Sequence, residues 1–515
     1  VKWITKNDPL YEIDYGTLKV ATVRPETIFG DVAVAVHPNG KYKHLVGKKA
    51  TIPIVERQIP IIADESVDES FGTGALKITP SADFNDYDIA KRHNLQPLKF
   101  ISQEGLLYGG YVYHEYLDHS TAETRPLVVD KLKKEGKLKV LDPNYSHSVA
   151  CCYKCERVLE PQILEQWFIK MTEKPKSGGK SLRDFAIDAV KTKKVNFLTK
   201  RFEKIFLHWM KNLRDWNISR QIVWGIRIPA WYHDICQGGY GAPIVSIRPP
   251  KKCPYESASL IHSGPKQNCE PDKDVFDTWF SSGQWPFATL MTNKKGDFEN
   301  FYPTDVMETG YDILFFWVAR MIMLGLYITG KVPFKIVYLH GLVRDKDRQK
   351  MSKSKGNVID PLGIAEIYGT DAVRMALVVG NTAGNDIIIS EEKIRGYRNF
   401  ANKIWNASRF VLMNTKDYKP PKKITLNAKQ KKHLKNLNKI TRDITKLMDD
   451  FKFYRSAEKI YHYFWHTFCD KIIEGQKPHL QSKITEERMS SQYLILEILK
   501  TNLNLLHPFM PFNYF

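Results

Sequence analysis

Short β-branched runs separated by turn residues fill the opening part of the chain. TLKVATV (17–23), DVAVAVHP (31–38), ATIPIV (50–55), QIPIIA (58–63) and GALKIT (74–79) each read as a strand bounded by Gly, Pro, Asn or Asp. YDIAKRHNL, Tyr87 to Leu95, predicts a short helix. Residues 1–145 are therefore expected to form a mixed, β-rich domain. Over 146–390, strand and helix signals alternate, which predicts a partly parallel sheet. Within this stretch KIVYLHGLV, Lys335 to Val343, reads as a buried strand, and the Gly/Pro/Ser/Lys-rich segment 238–274 reads as a loop or small module. KDYKPPKKITLN (416–427) reads as a second lysine-rich linker. From 391 onward every periodic stretch is helical. Leu434, Leu437, Ile440, Ile444, Leu447, Met448 and Phe451 keep a three-or-four spacing. So do Ala457, Ile460, Tyr461, Phe464, Trp465, Phe468 and Ile472. Such stripes predict helices facing one another in a bundle over 391–515.

Composition adds limits. A chain of 515 residues exceeds one core, so about three domains are expected. At 43% hydrophobic and 12% aromatic it is an ordinary globular sequence. Its net charge of +20 favours a polyanionic partner, nucleic acid first, against the plainer reading of a solvated lysine-rich surface. Seven cysteines do not suggest a disulfide framework, and an intracellular, cytoplasmic setting is expected. No signal peptide or basic leader is evident. The most membrane-like run, Tyr311 to Gly330, carries Asp312 and Arg320 and is expected to be a buried helix, with no membrane partner. The sequence opens on Val1 and stops after HPFMPFNYF, and both ends read as cut.

Two segments carry candidate chemistry. QKMSKSKGNVIDP, Gln349 to Pro361, sets a basic turn between the strand at 335–343 and a helix start, where Asp360 can cap and Pro361 can take the first helical position. Ligands of open α/β sheets collect at that edge, and lysine ammoniums there would meet a polyphosphate. CYKC gives Cys152 and Cys155 the spacing of zinc ligands. The corresponding second pair is incomplete, because CPYE has Glu256 after Cys253, with Cys236 and Cys269 as further candidates. Structural zinc and buried, idle cysteines both remain open.

KMSKS, Lys350 to Ser354, resembles the second signature of the class I aminoacyl-tRNA synthetases. NISRQIVWGIRIPAWY (217–232), DVFDTWFSSGQWPF (274–287), ETGYDILFFW (308–317) and HGLVRDKDRQKMSKSKGNVIDP (340–361) resemble the valine-specific branch of that family. TVRPETIFGDVAVAVHP (22–38) and GTGALKITPSADFNDYDIAKRHNL (72–95) resemble its inserted editing domain. The motifs stand in the family's order across almost the whole chain. The family's first signature, His-x-Gly-His, is not found. The resemblance thus implies the C-terminal half of a Rossmann-like catalytic domain, an inserted editing domain and a truncated helical anticodon-binding domain. The N-terminal half would lie on a separate chain or outside this sequence, and this chain alone is expected not to activate valine.

The family's reaction joins valine to ATP, with Mg2+, and moves valyl to tRNA(Val). The resemblance gives Lys353 the pyrophosphate contact, with Lys350 as helper and Ser352 and Ser354 bonding phosphate or fixing the loop. His340 and Gly341 would lie near the adenine, Asp312 would hold the substrate ammonium, and Trp279 would wall the valine pocket. Asp312 as an N-cap and Trp279 as plain core are the alternative readings. Proofreading is a physical need, because a valine pocket rejects threonine by only about a hundredfold, a figure established for the valine enzymes themselves. For editing the resemblance implies Arg24, Glu26, Thr27, Lys77, Thr79, Asp83 and Asp86. Asp86 would bind the aminoacyl ammonium, and Lys77 and Arg24 the terminal adenosine or its phosphate. Thr27, Thr79 and Asp83 would shape the pocket or place water. Ala82 stands where the family often has histidine. In the bundle, Arg395, Arg398, Lys403 and Arg409 are candidates for phosphate contacts, and no anticodon reader is named. The competing readings are a free-standing tRNA-binding editing hydrolase and a non-catalytic tRNA-binding relic.

Overall fold

The computed structural model describes residues 1–153, 155–175, 178–232, 243–250, 269–345, 347–349, 351, 356–358 and 360–514. The chain forms two compact units, Val1–Glu165 and Gln166–Phe515.

The first unit is built on two sheets. The long strands β1 (Lys2–Asp14) and β7 (Leu138–Cys151) pair antiparallel, with β2 (Lys19–Thr22) on the other side of β1. Pro9 has no N–H to give, and the register shifts between Asp8 and Leu10. The second sheet has the order β4 (Lys49–Thr51), β5 (Gln58–Ala63), β3 (Ala33–Val36), β6 (Ala75–Ile78). All four residues of β3 are buried, as expected of a β-branched central strand covered on both faces. The core joins Ile13, Tyr15 and Val20 to Ile28, Phe29 and Val34.

Two helices complete this unit. The helix expected over 87–95 is α1, Phe84–Arg92. It starts earlier because Asp83 caps it, its side chain accepting from the amides of Asn85 and Asp86. Helix α2 (Thr121–Lys134) opens with a full capping box between Ser120 and Glu123. It packs against the 3-10 helix Pro25–Gly30.

The second unit carries a parallel three-stranded sheet, in the order Thr304–Gly310, Phe334–His340, Asn196–Phe197. The first two strands are joined by the helical segment 311–329, a strand–helix–strand crossover. That segment is long and apolar enough to cross a membrane by length and composition, at a mean hydropathy of 1.6, and half of its apolar window is buried within the fold. Arg320 is enclosed in it, its guanidinium 3.4 Å from the centre of the Trp216 ring. Asp360 caps the helix Pro361–Tyr368 through the amides of Leu362 and Gly363, at 3.2 and 3.0 Å.

Past Ser390 the described chain is helical: Glu391–Asn414, Ala428–Asp449, then Phe453–His462 running through the π-helix Tyr463–Ile473 into Glu474–Leu480, and Thr485–Leu506. The apolar stripes meet as the spacing requires. Phe400, Ile460, Phe464, Phe468, Leu494 and Ile498 are fully buried in one cluster. Phe400 lies edge-on to Phe464, with ring centres 5.9 Å apart.

Candidate functional site

A cavity of about 480 Å³ opens in the first unit, within the size range of small-ligand sites. Arg24, Thr27, Lys77, Thr79, Asp83 and Asp86 all line it, so six of the seven residues the sequence pointed to converge there. The seventh, Glu26, lies behind the wall, fully buried.

The floor is a polar cluster anchored on a residue the sequence reading passed over. Asp31, fully enclosed, accepts from Lys77 Nζ at 2.8 Å, from Tyr15 OH at 2.6 Å and from the Thr79 hydroxyl. Lys77 Nζ also donates to Thr27 Oγ1 at 2.7 Å and Thr79 Oγ1 at 2.6 Å. An ammonium has three donors, and all three are used here. The expected adenosine or phosphate contact by Lys77 therefore changes character: this lysine sets the two threonine hydroxyls in place. The Gly-Asp pair in RPETIFGD was the available signal for Asp31, but an aspartate after glycine reads first as a turn former.

Asp86 sits on the inner face of α1, 7% exposed. Its Oδ2 accepts from the Thr79 amide at 2.8 Å. Burial, seconded by the nearby Asp83 charge, pushes its carboxyl up to about 7, against the pull of the Thr79 amide and Lys77. A cation entering the cavity would restore the carboxylate. Asp83 is exposed, its Oδ1 spent on the helix cap at 2.7 and 3.2 Å. It thus both caps α1 and forms part of the cavity lining.

Arg24 is held by acceptors on three sides: Glu160 at 2.7 Å, Glu26 at 3.2 Å and the Ala82 carbonyl at 3.3 Å. Ala82 is buried, packed in the core and also part of the cavity lining. An aromatic wall, which the sequence did not announce, comes from Phe71, Tyr145 and His147. Tyr145 lies 5.8 Å from Phe71 and 6.2 Å from His147, ring centre to ring centre.

In the second unit, His340 and Gly341 follow directly from the parallel strands, where Gly310 pairs with His340. A Cβ on Gly341 would collide with the Asn385 carbonyl, so the close approach requires glycine. Asp312 is exposed in the first turn after Gly310. It is not the N-cap of that turn; Gly310 is, without a side-chain bond. Trp279 is half-buried and stacks on Phe316 at 5.7 Å, and Asp277 caps its short helix while also accepting from Trp216 Nε1 at 3.0 Å. Lys350, Ser352, Lys353 and Ser354 lie outside the described residues.

Cys152 and Cys155 fall in the tight turn that follows β7, where the Glu156 amide donates to the Cys152 carbonyl at 2.9 Å. Cys155 is exposed. Cys236, Cys253 and Glu256 lie outside the described residues. Among the described residues no group of three or more His, Cys, Asp or Glu side chains is placed to hold a metal ion.

Residues 26–390 match the family described as tRNA synthetases class I (I, L, M and V), and residues 430–513 match the anticodon-binding domain of tRNA ligase. The valine–tRNA ligase of Clostridium tetani is 45% identical over 504 residues, covering 96% of this chain and 54% of that protein. The valine–tRNA ligase of Pseudothermotoga lettingae is 44% identical over 520 residues, covering 99% and 57%. The chain thus spans about half the length of these relatives. A Mycobacterium tuberculosis methionyl-tRNA synthetase in complex with methionyl-adenylate superposes with a TM-score of 0.52, at 18% identity over 72% of this chain and 62% of that one. At that identity the likeness is one of fold.

Proposed function

The chain belongs to the class I tRNA synthetases, and from that premise we propose that it is part of a valine–tRNA ligase whose first unit hydrolyses mischarged threonyl-tRNA(Val). The observation that carries the reading is the convergence of Asp86, Asp83, Thr27, Thr79 and Arg24 on one cavity. The similarity to valine–tRNA ligases supports the substrate.

The chemistry required is hydrolysis of an ester whose acyl group carries an ammonium and a small side chain. The Asp86 carboxylate takes the ammonium. The hydroxyls of Thr27 and Thr79 each accept from Lys77 and give their own proton to the Arg24 carbonyl and Asp31, which leaves one acceptor lone pair apiece; a substrate hydroxyl can donate to it and a valine methyl cannot. Arg24 meets the terminal nucleotide. Water adds to the ester carbonyl, the bond to the ribose oxygen breaks, and the water's proton passes to the departing ribose hydroxyl. Asp83, at the rim, is placed to orient that water.

Synthesis belongs to the second unit in this reading. ATP with Mg2+ would meet Lys350, Ser352, Lys353 and Ser354 near His340 and Gly341, while valine would meet Trp279 and Asp312. The helical end, with its exposed Arg395, Arg398 and Arg409, would bind tRNA(Val). The cytoplasm is the proposed setting. Valine activation is assigned to more of the protein than these 515 residues.

The test compares hydrolysis of threonyl-tRNA(Val) and valyl-tRNA(Val) by the chain. Faster loss of the threonyl ester supports the reading; equal rates for the two esters would overturn its specificity. Valine-dependent ATP–pyrophosphate exchange by the same chain should be at background, and clear turnover would contradict the assignment of activation to a longer protein.

A further inference from the structure

Arg125 does not line the cavity, yet it is bonded to the groups that hold two of its lining residues. It projects from α2, and its Nε and Nη2 take both oxygens of Glu26, at 2.9 and 3.1 Å. This is the two-pronged arrangement in which a guanidinium grips a carboxylate most firmly. Its Nη1 lies 3.6 Å from Asp8 Oδ1. Glu26 also receives Arg24 Nε at 3.2 Å, and Asp8 holds His147 Nε2 at 2.7 Å. Arg24 and His147 are lining residues. One arginine outside the site is thus tied to two residues inside it.

The competition for Glu26 decides where Arg24 points. Glu26 is fully enclosed, and a buried carboxylate without a close cation is costly. Arg125 supplies that cation with two short bonds. Arg24 is left with one longer bond to Glu26 and turns its other nitrogens to Glu160 and the Ala82 carbonyl, at 2.7 and 3.3 Å. Without Arg125, Glu26 would draw Arg24 into the two-pronged pair and away from the cavity.

We infer that Arg125 is a positioning residue for the nucleotide end of the substrate, acting on Arg24 through Glu26. The inference rests on the editing reading, in which Arg24 meets the terminal nucleotide. Its signature is in binding, because no part of Arg125 reaches the acyl group.

The test measures kcat and KM for threonyl-tRNA(Val) hydrolysis by the chain and four variants: Arg125→Gln, Arg125→Lys, Arg24→Gln and the Arg24→Gln/Arg125→Gln double. Melting curves establish that each is folded. Arg125→Gln should raise KM by about tenfold with kcat within about twofold, Arg125→Lys should recover part of the loss, and the double variant should be no worse than Arg24→Gln alone. An unchanged KM in Arg125→Gln overturns the inference and leaves the editing reading standing. So do losses that multiply in the double variant, or equal losses in Arg125→Lys and Arg125→Gln that follow melting temperature. A wild-type chain without activity on the threonyl ester overturns the editing reading, and the inference with it.

Discussion

Lys77 Nζ stands 2.8 Å from Asp31 Oδ1, and both side chains are enclosed, 7% and 0% exposed. Such a pair is strongly interdependent, because removal of Lys77 leaves Asp31 charged and fully enclosed. Lys77→Met should cost about 3–5 kcal/mol of stability. Arg92→Ala, which removes an exposed arginine beside Asp64, should cost far less, since water and His93 still attend that carboxylate. Urea unfolding followed by circular dichroism checks both. Lys77→Met should also slow threonyl ester hydrolysis, since the Thr27 and Thr79 hydroxyls lose the ammonium that orients them.

Asp86 gives the site a pH dependence with a definite sign. In the unfolded chain its carboxyl ionises in the usual range, while in the folded chain burial pushes it up to about 7. Between those values the folded state binds the proton more tightly. This group's contribution to stability therefore falls as pH rises from about 4 to about 7, and is level above. Asp86→Asn should remove that fall, so the variant gains on the wild type over this interval. Melting temperatures of the two, measured from pH 4 to 8, check the direction. The ammonium of a bound aminoacyl ester favours the carboxylate, so substrate should shift the apparent ionisation downward.

Asp83 has two duties that substitution can separate. Its carboxylate caps α1, a contribution of about 1 kcal/mol. Asp83→Ser keeps a capping oxygen and should leave stability nearly unchanged, whereas Asp83→Ala should lose that amount. If the carboxylate also orients water, both variants should slow hydrolysis alike. Hydrolysis retained in Asp83→Ser would leave Asp83 with the cap alone.

The charge of +20 predicts the form of RNA binding. Lysine and arginine contacts to phosphate release bound cations, so log affinity for tRNA(Val) should fall linearly with log salt. Arg398→Ala and Arg409→Ala should each flatten that slope by about one unit if these exposed side chains meet phosphate. Filter binding at several salt concentrations measures it.

Where apolar periodicity is strong, the sequence was a good guide. The buried strand Ala33–Val36 and the helices carrying Phe400, Phe464 and Leu494 were legible because burial on one face leaves a regular trace. Asp360 and its following proline announced a helix start that the structure bears out. The long strands Lys2–Asp14 and Leu138–Cys151 left little trace. Most of their residues are exposed or half-buried and polar, so the pairing between them, not an apolar face, defines them. The site divides in the same way. Arg24, Thr27, Lys77, Thr79, Asp83 and Asp86 lie in two short segments whose wording resembles a family. Asp31 and Arg125 become visible only through contacts, Asp31 with Lys77 and Tyr15, Arg125 with a glutamate far away in sequence.

The most direct measurement is the single-turnover rate of threonyl-tRNA(Val) hydrolysis by the chain, with an Asp86→Ala variant beside it. Hydrolysis by the wild type and a loss of roughly a hundredfold in the variant are expected, since the ammonium then loses its buried carboxylate. Equal rates in the two would contradict the assignment of the cavity and its buried carboxylate to proofreading.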